Sequence, residues 1–167
     1  MSDGDIVVHF IHGLEGSPNG RKARLLGAHF DCETPAMDTG DFEGCIALHH
    51  QRLAIRPPGI VVGSSYGGAV AVALLQRGHW RGPTLLLAQA AMRRGLLCAL
   101  PERVPIWIAH GDGDDVVSPA DSQRLAALGD PGWVRLIEVE DDHALHTSTD
   151  NGALLAWVRG LAALATP

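Results

Sequence analysis

Short apolar runs alternate with amphipathic stretches along the chain, and this alternation predicts an α/β fold, a parallel sheet covered by helices. The strand candidates are Ile6–Ile11, a weaker one at Asp31–Thr34, then Gly59–Gly63, Thr84–Ala88, Val104–Ala109 and Val134–Val139. Thr84-Leu85-Leu86-Leu87-Ala88 shows no polar alternation, as expected of a strand buried on both faces. Four or five helices are expected between the strands. Phe42, Cys45, Ile46, His49 and Leu53 recur at the spacing of one helical face. A second helix follows from about Tyr66 to Arg77 and stops at Gly78. Ser118-Pro119 supplies an N-cap and a proline at the first helical position, opening a helix towards Leu128. The last helix spans roughly Asn151 to Leu164.

No repeat, low-complexity segment or linker interrupts this order, so residues 1–167 are read as a single domain. Only about fifteen residues separate Ala88 from Val104, too few for a lid domain, and an open, shallow site is expected.

Composition narrows the classes of function. The 167 residues include 13 Lys plus Arg against 19 Asp plus Glu, a formal net charge of −6. Without a basic stripe the chain is a poor nucleic-acid binder, because phosphate neutralisation needs clustered cations. The start, Met1-Ser2-Asp3-Gly4-Asp5, is acidic where a secretory leader would be basic, and no apolar run is long enough to cross a bilayer. Cys32, Cys45 and Cys98 are odd in number and lack Cys-x-x-Cys spacing. They read as small hydrophobes in a reducing compartment, with no metal site, and a cytoplasmic location is expected.

Chemistry enters at Gly63-Ser64-Ser65-Tyr66-Gly67-Gly68, between an apolar run and a helical one. A Gly-x-Ser-x-Gly turn holds a nucleophilic serine in a strained conformation, so the residues two before and two after it must be tiny. Ser65 has Gly63 and Gly67 there, whereas Ser64 would have Val62 and Tyr66. A serine nucleophile needs a base to take its proton and an acid to orient that base. In this type of sheet they follow in the order acid, then histidine, each after a later strand.

The run ending at Ala109 leads into His110-Gly111-Asp112-Gly113-Asp114-Asp115, where three aspartates compete and Asp114 is preferred over Asp112 and Asp115. The run ending at Val139 leads into Glu140-Asp141-Asp142-His143-Ala144-Leu145-His146. His143 is the expected base; His146 competes, or else caps or packs against the final helix. Any of Glu140–Asp142 lying close would raise the histidine's pKa. An oxyanion hole needs two backbone N–H donors. Tyr66, directly after the serine, supplies one, and Leu14 in His12-Gly13-Leu14-Glu15-Gly16 the other, with Gly13 allowing close approach. The alternative for His12-Gly13 is a plain turn with His12 packed beneath.

With Ser65, Asp114, His143 and the His12-Gly13 loop placed, the chain resembles the α/β-hydrolase superfamily. His12-Gly13-Leu14-Glu15-Gly16-Ser17-Pro18, Lys22-Ala23-Arg24-Leu25-Leu26, Gly63–Gly68 and Asp142-His143-Ala144-Leu145 are similar to segments of small bacterial YqiA-like esterases. The resemblance implies a three-layer α/β/α sandwich with a mostly parallel six-stranded sheet of order 2-1-3-4-5-6, lacking the superfamily's first antiparallel hairpin. It also implies a serine esterase for small acyl esters, with neither metal nor organic cofactor. An aromatic content of 5% argues against a large aromatic acyl cleft and favours short or medium chains. A thioesterase or peptidase using the same groups, and a non-catalytic binding or scaffold protein, are the competing readings.

Overall fold

The computed structural model describes residues 1–96 and 99–164. Six strands form one sheet: β1 (Val7–Ile11), β2 (Asp31–Glu33), β3 (Ile60–Ser64), β4 (Thr84–Leu87), β5 (Ile106–Gly111) and β6 (Val134–Val139). Their order is β2-β1-β3-β4-β5-β6, as the resemblance implied, and every pairing is parallel. The helices are α1 (Arg21–His29), α2 (Phe42–Ile55), α3 (Tyr66–Gln76), α4 (Pro119–Ala127), α5 (His146–Asp150) and α6 (Ala153–Leu164). Short 3₁₀ turns lie at Asp3–Asp5 and Ala91–Arg94.

The sheet is buried from both sides because its side chains alternate between two apolar layers. Val61, Leu86, Ile106 and Ile108 face α2, α3 and α4 through Ile46, Val70 and Leu125. Ile60, Val62, Leu85, Leu87 and Ala109 face α1 and α6 through Leu26, Leu154, Val158 and Leu161. Each aliphatic side chain taken wholly out of water contributes about 1.5–3 kcal/mol, and these two layers hold the strands in register.

Several boundaries differ from the sequence expectation. The strand expected at Val104–Ala109 runs from Ile106 to Gly111: Pro105 has no N–H for the ladder, while His110 and Gly111 pair with Glu138 and Val139. His110-Gly111 is therefore strand rather than loop. The final helix starts at Ala153, not Asn151. Gly152 adopts φ +84°, which ends the preceding turn, and the Asn151 side-chain oxygen accepts from the Ala153 N–H at 2.9 Å. A separate short helix, α5, precedes it. Helix α1, absent from the sequence expectation, is short and buries only Ala23 and Leu26.

Cys45 is buried and Cys32 half-buried, both as free thiols; Cys98 lies outside the described residues. Among the described residues no helix is long and apolar enough to cross a membrane.

Candidate active site

Ser65 stands between β3 and α3 with φ 54° and ψ −113°, a conformation that costs energy for a residue with a Cβ. Its surroundings enforce it. The Ser65 N–H donates to the Leu87 carbonyl at 2.8 Å, and the Ser65 carbonyl accepts from Ala69 and Ala90, each at 3.1 Å. The flanking glycines are needed for space. A Cβ on Gly63 would lie 2.6 Å from the Gly67 carbonyl oxygen, and one on Gly67 would lie 2.0 Å from that of Ile11. Helix α3 thus starts directly against the end of β1, which leaves the half-buried serine hydroxyl at the carboxyl edge of the sheet.

His143 comes to Ser65 from the loop after β6. Its Nε2 lies 2.9 Å from Ser65 Oγ, and its Nδ1 lies 2.7 Å from Asp114 Oδ2. The Asp114 side chain is wholly shielded from solvent, while that of His143 keeps 21% of its exposure. Asp114 Oδ1 accepts the N–H groups of Val116 at 2.9 Å and Val117 at 2.8 Å. The loop after β5 is therefore wound around this one carboxylate, whereas Asp112 and Asp115 are exposed. His146 is turned away: it opens α5 and pairs with Asp142 through an Nδ1–Oδ2 contact of 2.5 Å.

The acidic run beside His143 is also committed elsewhere. Asp141 accepts the N–H groups of Asp142, Thr147 and Ser148, which orders the loop and the start of α5. Those amides, working against the cost of burial, hold its carboxyl below the usual range. Hydrogen bonding to His146 does the same for Asp142.

The loop after β1 closes over the serine. A Cβ on Gly13 would sit 3.2 Å from the Ser64 carbonyl oxygen and 3.3 Å from Ser65 Cβ, so glycine permits the approach. The Leu14 N–H makes no backbone hydrogen bond among the described residues, and Leu14 itself is 56% exposed. The Tyr66 N–H is the first of α3 and has no acceptor within the helix. His12 is buried, with Nδ1 2.8 Å from the Gly13 carbonyl oxygen, to which it donates.

No protein-family model matches the chain, and no curated protein matches it closely enough to count as a relative. Solved structures do match it. Mouse alpha/beta hydrolase domain-containing protein 10 superposes with a TM-score of 0.78 at 16% identity, over 99% of this chain and 93% of that one. Est1E from Butyrivibrio proteoclasticus gives 0.74 at 14% identity, covering 98% and 89%. A protein of the alpha/beta superfamily from Xanthomonas campestris pv. campestris gives 0.67 at 25% identity, covering 95% and 97%. The chain has the α/β-hydrolase fold.

Within this α/β-hydrolase fold, four polar residues lie around the site that sequence reasoning did not single out. Lys22 of α1 donates from Nζ to the Ala144 carbonyl at 2.5 Å, tying the helix after the first loop to the residue following His143. Burial pushes its ammonium below the ordinary lysine range. His110, Ser122 and Gln89 form a buried chain that ends on Asp114. A histidine at the end of a buried strand was a usable signal for His110. Nothing local marks Gln89 or Ser122, which meet only through the packing of α4 on β5.

Proposed function

We propose that the chain is a serine carboxylesterase acting on small acyl esters through an acyl-enzyme on Ser65. The observation that carries this reading is the unbroken line of hydrogen bonds from Ser65 Oγ through His143 to Asp114, with spacings of 2.9 and 2.7 Å. In the proposed reaction the imidazole takes the Ser65 proton at Nε2 as the hydroxyl oxygen attacks the ester carbonyl carbon. Asp114 accepts from Nδ1–H, which keeps Nε2 free as the base and stabilises the imidazolium that forms. The N–H groups of Leu14 and Tyr66 bind the negative oxygen of the tetrahedral intermediate. His143 then returns the proton to the departing alkoxide. In the second half, water attacks the acyl carbon, His143 accepts its proton, and the acid leaves as Ser65 regains its hydrogen. No step needs a metal or an organic cofactor.

The similarity to structures that include an esterase supports ester hydrolysis over amide hydrolysis, though thioesters suit the same groups. The exposed Leu14 and Val116, one on each loop beside the site, favour an apolar acyl or alcohol group. A non-catalytic scaffold would have no use for a serine held at positive φ with a buried acid behind its histidine.

Hydrolysis of p-nitrophenyl acetate and butyrate tests the reading directly. Activity is expected in the wild type and background rates in Ser65→Ala; equal rates in both proteins would sink it. A fluorophosphonate probe should modify Ser65, as read by peptide mass spectrometry. Activity is expected to fall on acidification, because a protonated imidazole cannot accept the Ser65 proton; a flat profile into mildly acidic pH would argue against a histidine base.

A further inference from the structure

Asp114 serves two histidines rather than one. Its Oδ2, which meets His143 Nδ1 at 2.7 Å, also lies 3.0 Å from Nε2 of His110, and neither the Asp114 nor the His110 side chain retains exposure. His110 lies in β5, and its Nδ1 is 2.7 Å from Ser122 Oγ on α4. Ser122 Oγ in turn accepts from Gln89 Nε2 at 3.0 Å, and Gln89 Oε1 accepts the Ala91 N–H at 2.8 Å. The neighbouring amide, Ala90 N–H, donates to the Ser65 carbonyl. Main chain, hydrogen bonds and the close approach of His110 to Asp114 thus connect the Ser65 carbonyl with the carboxylate that meets His143.

The proton positions in this line follow from the acceptors. His110 Nε2 faces two of them, Asp114 Oδ2 and the Val117 carbonyl oxygen, both at 3.0 Å, and so must carry hydrogen. In a neutral ring Nδ1 is then bare, and it accepts the Ser122 hydroxyl proton. Gln89 fixes the direction of the whole row, because its oxygen is already engaged with a backbone N–H. Asp114 Oδ1 takes two amides and Oδ2 accepts from His143 Nδ1, while His110 Nε2–H donates to the Val117 carbonyl from a nitrogen only 3.0 Å from Oδ2.

We propose that His110 is a positioning residue that shares the Asp114 carboxylate with His143, and so sets how strongly the base facing Ser65 holds its proton. The His110 N–H dipole, held beside Oδ2, offsets part of the negative charge that would otherwise stabilise protonated His143. Without that N–H, Asp114 binds the imidazolium more tightly and the base becomes harder to deprotonate. The inference rests on the triad reading above and adds a residue that does not touch substrate. The other charged groups near His143 stay in place when His110 is changed: Lys22 on α1, Asp141 and Asp142 in its own loop, and His146 paired with Asp142.

The test follows the rate of Ser65 modification by a fluorophosphonate, and kcat/KM for p-nitrophenyl butyrate, against pH in wild type, His110→Leu and His110→Gln. The expected result is an acid limb moved up by roughly half a unit to one unit in His110→Leu, with KM unchanged. His110→Gln retains an N–H donor near the Nε2 position and should bring the limb back to the wild-type value. A limb that stays in place in folded His110→Leu overturns the proposal, as does an equal shift in both variants. If His110→Leu does not fold by near-ultraviolet circular dichroism, Ser122→Ala takes its place. That change removes the hydroxyl steadying the ring and should move the limb in the same direction; an unmoved limb there also overturns the proposal. Wild-type protein modified at a residue other than Ser65 removes the triad reading, and this inference falls with it. Modification at Ser65 without the His110-dependent shift removes this inference alone.

Discussion

Ser65 and Asp114, the proposed nucleophile and acid, stand out for different reasons. The serine was legible from its flanks, since Gly63 and Gly67 are the two positions where a Cβ would strike the main chain of the elbow itself or of β1. The acid was not separable from its neighbours in sequence: Asp112, Asp114 and Asp115 share one turn and differ only in which way the chain turns them. Burial and the amides of Val116 and Val117 distinguish Asp114. Asp114→Asn is therefore expected to lower turnover by several powers of ten while leaving the protein folded, because an amide can force the wrong imidazole tautomer. Steady-state kinetics beside Asp112→Asn checks this. Comparable losses in both variants would contradict the assignment.

The approach of α3 to β1 and the tie from α1 to the His143 loop bring the site together. Gly67→Ala would place a methyl group 2.0 Å from the Ile11 carbonyl oxygen and 2.5 Å from that of His12. Neither acceptor belongs to a side chain that could swing aside, so α3 or the first loop must shift, at a cost of about 1–3 kcal/mol or more. A lowered melting temperature together with slow fluorophosphonate labelling is the expected outcome; an unchanged melting curve would contradict it.

Lys22→Met keeps much of the packing but leaves the Ala144 carbonyl without its donor. Turnover is expected to fall by about tenfold, the equivalent of about 1.4 kcal/mol in the barrier, with Lys22→Arg retaining more. Kinetics of the two variants side by side would show whether the tie matters. Periodicity marked α2, the stop at Gly78 marked α3 and the Ser118-Pro119 start marked α4, whereas α1, which carries this lysine, is short and buries only Ala23 and Leu26.

The stability of the folded chain should depend on pH through histidines remote from the reaction. His9 of β1 and His49 of α2 are buried, with His9 Nε2 and His49 Nδ1 2.8 Å apart. Desolvation pushes His9 down to about 4 and His49 down to about 3. In the unfolded chain both would titrate near 6.5, the ordinary imidazole value. Between that pH and about 4 the unfolded state binds more protons than the folded state, so stability is full above the unfolded value and falls as pH drops through the window. The slope is on the order of 1.4 kcal/mol per pH unit for each ring. Urea midpoints should drop between pH 7.5 and pH 5, and a His9→Leu/His49→Leu double variant should flatten that dependence. A midpoint insensitive to pH in the wild type would rule the effect out. The carboxyls held low, Asp3, Asp5, Glu43, Asp141 and Asp142, act in the same direction only at more acidic pH, since their unfolded values lie near 4.

Properties that repeat along the chain or concern adjacent residues could be read from the sequence: the strand–helix alternation, the tiny flanks of Ser65, and the order serine, aspartate, histidine. These depend on local sterics and on the burial of periodic apolar faces, both of which act over a few residues. Which of three aspartates meets His143, the pairing of His146 with Asp142 at a helix start, the bond from Lys22 to Ala144, and the approach of two imidazoles to Asp114 were decided only on folding. Each depends on which side chains, tens of residues apart, are brought together out of water with their hydrogen bonds complete.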